Sequence, residues 1–239
     1  PDQDKKDFLV FDFCGNLEYF SQNLPGSHGQ IQKSLSQLLF EARLGLVVAL
    51  EHDEPELRRS TTTTLQEIVA GMNLDNFVVR PHRRAVEKFG SPDGWCPLEP
   101  EDSSALLGLA GLPSSVHDDD EDAKRFDLLM LRRQLAQLDG DFVLAERLRE
   151  TVQRIAAALL SKTTIPSVAQ QAVLLESVAG DEWWIDVTLS MLEEARRKLR
   201  SLVRFIERTQ RNPVYIDFQY TLGDFIEIPL PGLTPGTNF

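Results

Sequence analysis

Hydrophobic and polar positions change their period several times along the chain. Phe8-Leu-Val-Phe-Asp-Phe13 is a short apolar run broken only by Asp12, which predicts a buried strand stopped by Cys14-Gly-Asn16. A single buried strand has no independent existence, so its partners must lie outside this segment. Pro25 to Gly29 is a loop. From Ile31 to about Glu51 the period becomes helical, with Leu35, Leu38, Leu39, Ala42, Leu46 and Leu50 on one stripe. A second helix runs from Glu56 to about Met72, weakened by the poor helix propensity of Thr61 to Thr64. The stretch from Arg80 to Phe89 is short and basic. Gly90 to Pro97 reads as a loop, and Pro100 opens a small helix ending near Leu109.

Asp118 to Asp122 stands just before an apolar-periodic run beginning at Phe126. Acidic side chains favour the positive end of a helix macrodipole, so the cluster marks a helix start. Helices are expected at about 121–138, 142–161 and 167–178. Ile185, Leu192, Leu199 and Ile206 then recur every seventh residue, predicting a last helix of about 24 residues, or about 36 Å. After Asn212-Pro213 the period falls to two, and Val214–Phe218 with Phe225–Ile228 predict a β-hairpin. The fold class expected is mainly α: a multi-helix domain with a strand at the front and a short hairpin at the back.

Composition narrows the class of molecule. The 239 residues carry a formal charge of −12, with 42% hydrophobic and 26% charged residues, values usual for a globular chain and not for a disordered one. Leu44 to Leu50, the longest apolar run, is far short of the roughly 20 residues that span a bilayer. Cys14 and Cys96 have no paired spacing and read as reduced thiols of a cytoplasmic protein. The acidity argues against a general nucleic-acid coat. The start at Pro1 and the run from Pro229 to Phe239 suggest a piece of a longer protein.

The search for chemistry returns little. A phosphate loop needs glycines, a lysine and a hydroxyl in GxxxxGK[ST] spacing, and the nearest pairing, Leu107-Gly-Leu-Ala-Gly111, reads better as a helix end. The four histidines, His28, His52, His82 and His117, lack metal-ligand spacing. Asp217 and Glu227 have no neighbouring lysine of the kind a nuclease uses, and no GxSxG supports a nucleophilic serine.

Basic clusters run against the overall charge. Arg196, Arg197, Lys198, Arg200, Arg204, Arg208 and Arg211 form one, and Arg80, His82, Arg83, Arg84 and Lys88 another. Arg197, Arg200, Arg204, Arg208 and Arg211 recur at spacings of three and four, so they are expected to share one face next to the apolar stripe, fit for a phosphate backbone or an acidic partner. The plainer reading is a solvated face whose stems cover the core edge and pair with acids such as Glu193. Trp183-Trp184 is a candidate docking anchor, since two adjacent tryptophans on a helix cannot face the same core; a two-sided core is the competing reading.

Three stretches carry a family resemblance. Asp7 to Phe20 (DFLVFDFCGNLEYF) resembles the segment after the last helicase motif in the motor (R) subunits of type I restriction enzymes. Asp122 to Gln134 (DAKRFDLLMLRRQ) resembles a segment of the helical region beyond that motor. Pro213 to Phe218 (PVYIDF) resembles the element opening the family's C-terminal part, with Ile216 in place of its threonine. Related DEAD/DEAH-type helicase proteins carry similar segments. The resemblance implies that residues 1–24 end a second RecA-like lobe as a strand remnant, that 29–211 form the helical domain, and that 213–239 begin a C-terminal domain.

It implies further that this piece is non-catalytic, with no cofactor of its own. The parent would be an ATP- and Mg2+-dependent DNA translocase and endonuclease whose nuclease, phosphate loop and DEAD/DEAH box have no counterpart in these residues. The partners implied are the rest of the R subunit, the methylation and specificity subunits, and duplex DNA. Arg197, Arg200, Arg204, Arg208, Arg83 and Arg84 are the candidates for DNA or partner contact, and Trp183 and Trp184 for subunit docking. Two alternatives stay open: a free-standing helical protein-interaction module, and a metal-dependent hydrolase using Asp118 to Asp122.

Overall fold

The computed structural model describes residues 33–50 and 54–206, and its elements belong to the compact unit that begins at Leu35. The strand expected at Phe8–Phe13 and the hairpin expected at Val214–Ile228 lie outside the described residues. Within them the chain is mainly helical and contains no strand. The helices are α1 (Leu35–Ala49), α2 (Pro55–Ala70), α3 (Arg83–Phe89), α4 (Pro100–Leu107), α5 (Glu121–Leu138), α6 (Phe142–Leu160), α7 (Pro166–Ala169), α8 (Ala172–Ala179) and α9 (Leu189–Leu199).

Two of these helices are apolar on more than one side, and that places them at the centre. On α1, Phe40, Leu44 and Val47 enter a cluster with Leu65, Val69, Phe89, Trp95 and Leu106. The other stripe of α1, Leu39, Ala42, Leu46 and Leu50, meets Leu57 of α2, Leu128 and Leu131 of α5, and Leu189 of α9. On α5, Phe126, Leu129 and Met130 turn instead toward Leu148 and Ile155 of α6, Leu175 of α8, Trp184, and Leu192 of α9. Each large apolar side chain fully withdrawn from water contributes about 1.5–3 kcal/mol, so these three clusters hold the helices together.

Local chemistry explains the helix limits. Asp120 begins α5 by accepting the N–H of Ala123 at 2.9 Å, so the acidic cluster does mark a helix start. Asp141 caps α6 in the same way through Leu144. The threonines of α2 are accommodated because Thr61, Thr63 and Thr64 donate to the carbonyls of Leu57, Arg59 and Ser60, four residues back. Gly108 caps α4 and Gly111 follows with φ of 84°, which accounts for the glycine pairing as a helix end.

Two expectations are corrected. The segment 167–178 is broken into α7 and α8. The long last helix is also divided: a 3-10 turn at Glu182–Trp184, then α9, then a second 3-10 turn at Val203–Phe205. Thr188 starts α9 afresh by accepting the N–H of Met191 at 3.2 Å. Beyond Leu199 the hydrogen bonds tighten to three-residue spacing, Leu202 to Leu199 and Phe205 to Leu202. Leu202 and Val203 stay buried beyond the helix end at Leu199, while Ile185 is 76% exposed. Of the seven-residue recurrence, Leu192 and Leu199 are core contacts of α9, Ile206 packs partly buried after the closing turn, and Ile185 faces outward.

Candidate functional site

The arginines of α9 converge on a carboxylate from another helix. Asp127 of α5 lies within an apolar run and its side chain is 1% exposed. Arg196 Nη1 donates to it at 2.6 Å. Arg200 Nε bridges both its oxygens at 3.2 and 3.1 Å, and Arg200 Nη2 reaches Asp118 in the loop before α5. Arg196 also grips Glu193 through two parallel bonds of 2.8 Å, and Arg197 Nε donates to Glu193 at 2.7 Å. Arg43 of α1 comes third to Asp127, at 3.9 Å.

The electrostatics follow from this packing. For Arg196, burial opposes the charge but is outweighed by the Glu193 hydrogen bonds and the Asp127 charge, which raise its pKa above the usual guanidinium value. Arg200 is raised in the same way by Asp127 and Asp118, again against burial. On the acid side, burial works to raise Glu193 and Asp118, and the guanidiniums of Arg196 and Arg200 respectively lead the effects that bring them below the ordinary carboxylate range. Arg43 goes the other way: burial lowers it, Asp127 only partly offsets this, and Arg196 and Arg200 repel it.

The network borders a polar cleft of about 520 Å³ between α1, α2, α5 and α9. Arg43, Arg59, Glu193, Arg196 and Arg197 line it with the hydroxyl-rich face of α2 from Ser60 to Thr64.

The other candidate arginines are arranged differently. Arg83 and Arg84 are exposed at the start of α3, and Arg83 has a 3.8 Å pair with Glu87. Arg204 is exposed in the closing 3-10 turn with its guanidinium 5.0 Å from the Phe205 ring centroid. The expected single arginine face does not extend to Arg204, because the helix ends at Leu199; Arg208 and Arg211 lie outside the described residues.

The tryptophans also correct an expectation. Trp184 is buried and donates its indole N–H to Val178 at 2.9 Å, with the Arg133 guanidinium 5.6 Å from its ring centroid. Trp183 is half-buried and packs on the same cluster, edge-to-face with Trp184 at 4.8 Å. Two adjacent tryptophans share one core here because the 3-10 turn and the perpendicular rings let both reach it. Neighbouring Ile185 is the outward apolar residue.

Among the described residues no three His, Cys, Asp or Glu side chains gather as a metal site would require. In the acidic cluster, Asp120 caps a helix, Asp118 meets Arg200, and Asp119 lies beside His117. No described helix is long and apolar enough to cross a membrane.

Sequence reasoning missed Arg43 and Asp127. The signal was a lone charge inside an apolar stripe, in Ala42-Arg-Leu44 and in Phe126-Asp-Leu128, where an ion needs a buried partner. No protein family, curated protein or solved structure matches the chain.

Proposed function

We propose that the chain is a non-catalytic helical module of a type I restriction R subunit, coupling the ATP- and Mg2+-dependent motor to the methylation and specificity subunits. The observation that carries this reading is the position of Asp122–Gln134, the one described stretch with the family resemblance. It forms most of the central helix α5, and two of its polar residues, Asp127 and Gln134, are interior tethers. Asp127 receives Arg196 and Arg200, and Gln134 Nε2 donates to the carbonyl of Leu189 at 3.3 Å. The resembling residues are therefore those that set the architecture of the helical body.

A coupling module needs a stiff body and an exposed anchor. Ile185 supplies the exposed apolar part of the anchor, and the half-buried Trp183 flanks it beside a tryptophan fixed in the core. Duplex DNA is the secondary partner, and Arg83, Arg84 and Arg204 suit it better than Arg197 and Arg200. Arg200 already holds Asp127 and Asp118, which a backbone phosphate would have to displace, and Arg197 keeps only its Nη groups uncommitted, on the cleft beside Glu193.

Co-purification with a type I methylation–specificity complex tests docking. The complex should form, and Ile185→Asp should weaken it without unfolding the chain. Failure to associate with that complex at micromolar concentrations would overturn the coupling reading. Anisotropy with a 30-base-pair duplex tests the DNA contact. Three solvent-exposed arginines predict a slope of log K against log salt of about −2.7, whereas four phosphate contacts predict about −3.6.

A further inference from the structure

The cleft is lined by one more cation than carboxylate, Arg43, Arg59, Arg196 and Arg197 against Glu56, Glu67 and Glu193. Arg43, Arg196, Arg197 and Arg200 share Asp127, Glu193 and Asp118. The two short contacts to Asp127 belong to Arg196 and Arg200, leaving Arg43 at 3.9 Å, beyond hydrogen-bond distance, with its side chain only 16% exposed. A guanidinium so far withdrawn from water is costly unless an anion meets it. Arg43 lies on the cleft wall. Arg197, on the same cleft, spends its Nε on Glu193 and is 55% exposed. Its two Nη groups have no protein acceptor among the described residues.

The opposite wall has the complementary chemistry. Ser60 and Thr61 both donate to the Leu57 carbonyl, at 3.0 and 2.8 Å, while Thr63 and Thr64 donate to Arg59 and Ser60. Their protons are committed to the helix, so these hydroxyls offer the cleft lone pairs only. Glu56 and Glu67 on the rim are likewise acceptors, and they disfavour a ligand of high negative charge. An occupant must therefore bring one negative charge for the arginines and hydroxyl protons for the α2 wall.

We propose that this cleft binds a small, singly charged oxyanion bearing its own hydroxyl, a hydroxycarboxylate or a monoanionic phosphate, held by Arg43 and Arg197. The site is independent of the docking edge and of the family resemblance. Guanidinium supplies the planar donor fork that oxyanions fit, and the α2 hydroxyls accept from the ligand.

Titration followed by NMR of arginine Nε–H resonances tests it, with glycolate, acetate and inorganic phosphate at pH 6 and chloride at matched ionic strength. Glycolate and phosphate should give saturable shifts at Arg43 and Arg197 with Kd near about 1 mM, and acetate should bind more weakly. Arg43→Met and, separately, Arg197→Gln should each weaken glycolate by about tenfold, while Arg84→Gln should leave it unchanged. Arg197→Gln keeps the test valid if Arg43→Met alters folding. No saturable shift, shifts equal to those of chloride, or shifts produced by a 30-base-pair duplex and by neither small anion would overturn the proposal.

Discussion

The two basic clusters look alike in sequence and differ in structure. Around α9, Arg196 and Arg200 reach across to a buried aspartate and so join α9 to α5. Around α3, Arg83 and Arg84 point into solvent, and the one pair of Arg83, to Glu87 on its own helix, is 3.8 Å long. The difference lies in which side chains reach a buried acid, since Lys88 of the α3 cluster meets Asp102 of α4 at 2.5 Å, whereas Arg83 and Arg84 reach none among the described residues. A carboxylate in an apolar stripe waits opposite α9, and the cations close over it. A basic run is therefore a free positive surface only at the positions that no buried acid meets.

The largest effect should come from removing that acid. Asp127→Ala leaves Arg196, Arg200 and Arg43 without their common partner and should cost about 3–5 kcal/mol in chemical unfolding. Acid titration sharpens the contrast next. Glu193 and Asp118 have depressed folded-state pKa values, so their stabilisation is complete above the unfolded values, 4.5 and 3.8, and is lost as pH falls through the lower folded ones. Unfolding free energy should drop by about 1–3 kcal/mol between pH 5 and the acid limit, nearly all of it from the buried Glu193 because solvent screens the 40% exposed Asp118, and Glu193→Gln should flatten the drop. By contrast, Arg83→Ala with Arg84→Ala should change stability by no more than about 0.5 kcal/mol, measured by the same denaturant curves. Magnesium, manganese or zinc should leave the melting temperature unchanged. A gain of about 2.7 kcal/mol at one hundred times a Kd would instead favour the metal-dependent hydrolase.

Helix positions were largely legible because their signals are local. The Asp120 start of α5, the break near Gly140 and the end of α4 at Gly108 each follow from caps or glycines within a few residues. The site was less legible, because it depends on what a distant helix presents. Arg196 and Arg200 were visible as a cluster, but Asp127 is 69 and 73 residues away from them. The end of α9 was misread for a related reason. Leu199, Leu202 and Val203 keep their apolar spacing through a 3-10 turn, so the pattern records burial and not helix length. Trp183 and Trp184 share a core through ring orientation, which sequence spacing does not encode.

The central claim is that the α9 arginines act mainly as an internal lock. A double-mutant cycle between Asp127→Ala and Arg196→Met, read from unfolding free energies, measures that lock most directly. The account predicts a coupling of about 2 kcal/mol or more, because the two side chains form one buried, hydrogen-bonded pair. Additivity within about 0.5 kcal/mol would contradict it and return Arg196 and its neighbours to the solvent-facing surface.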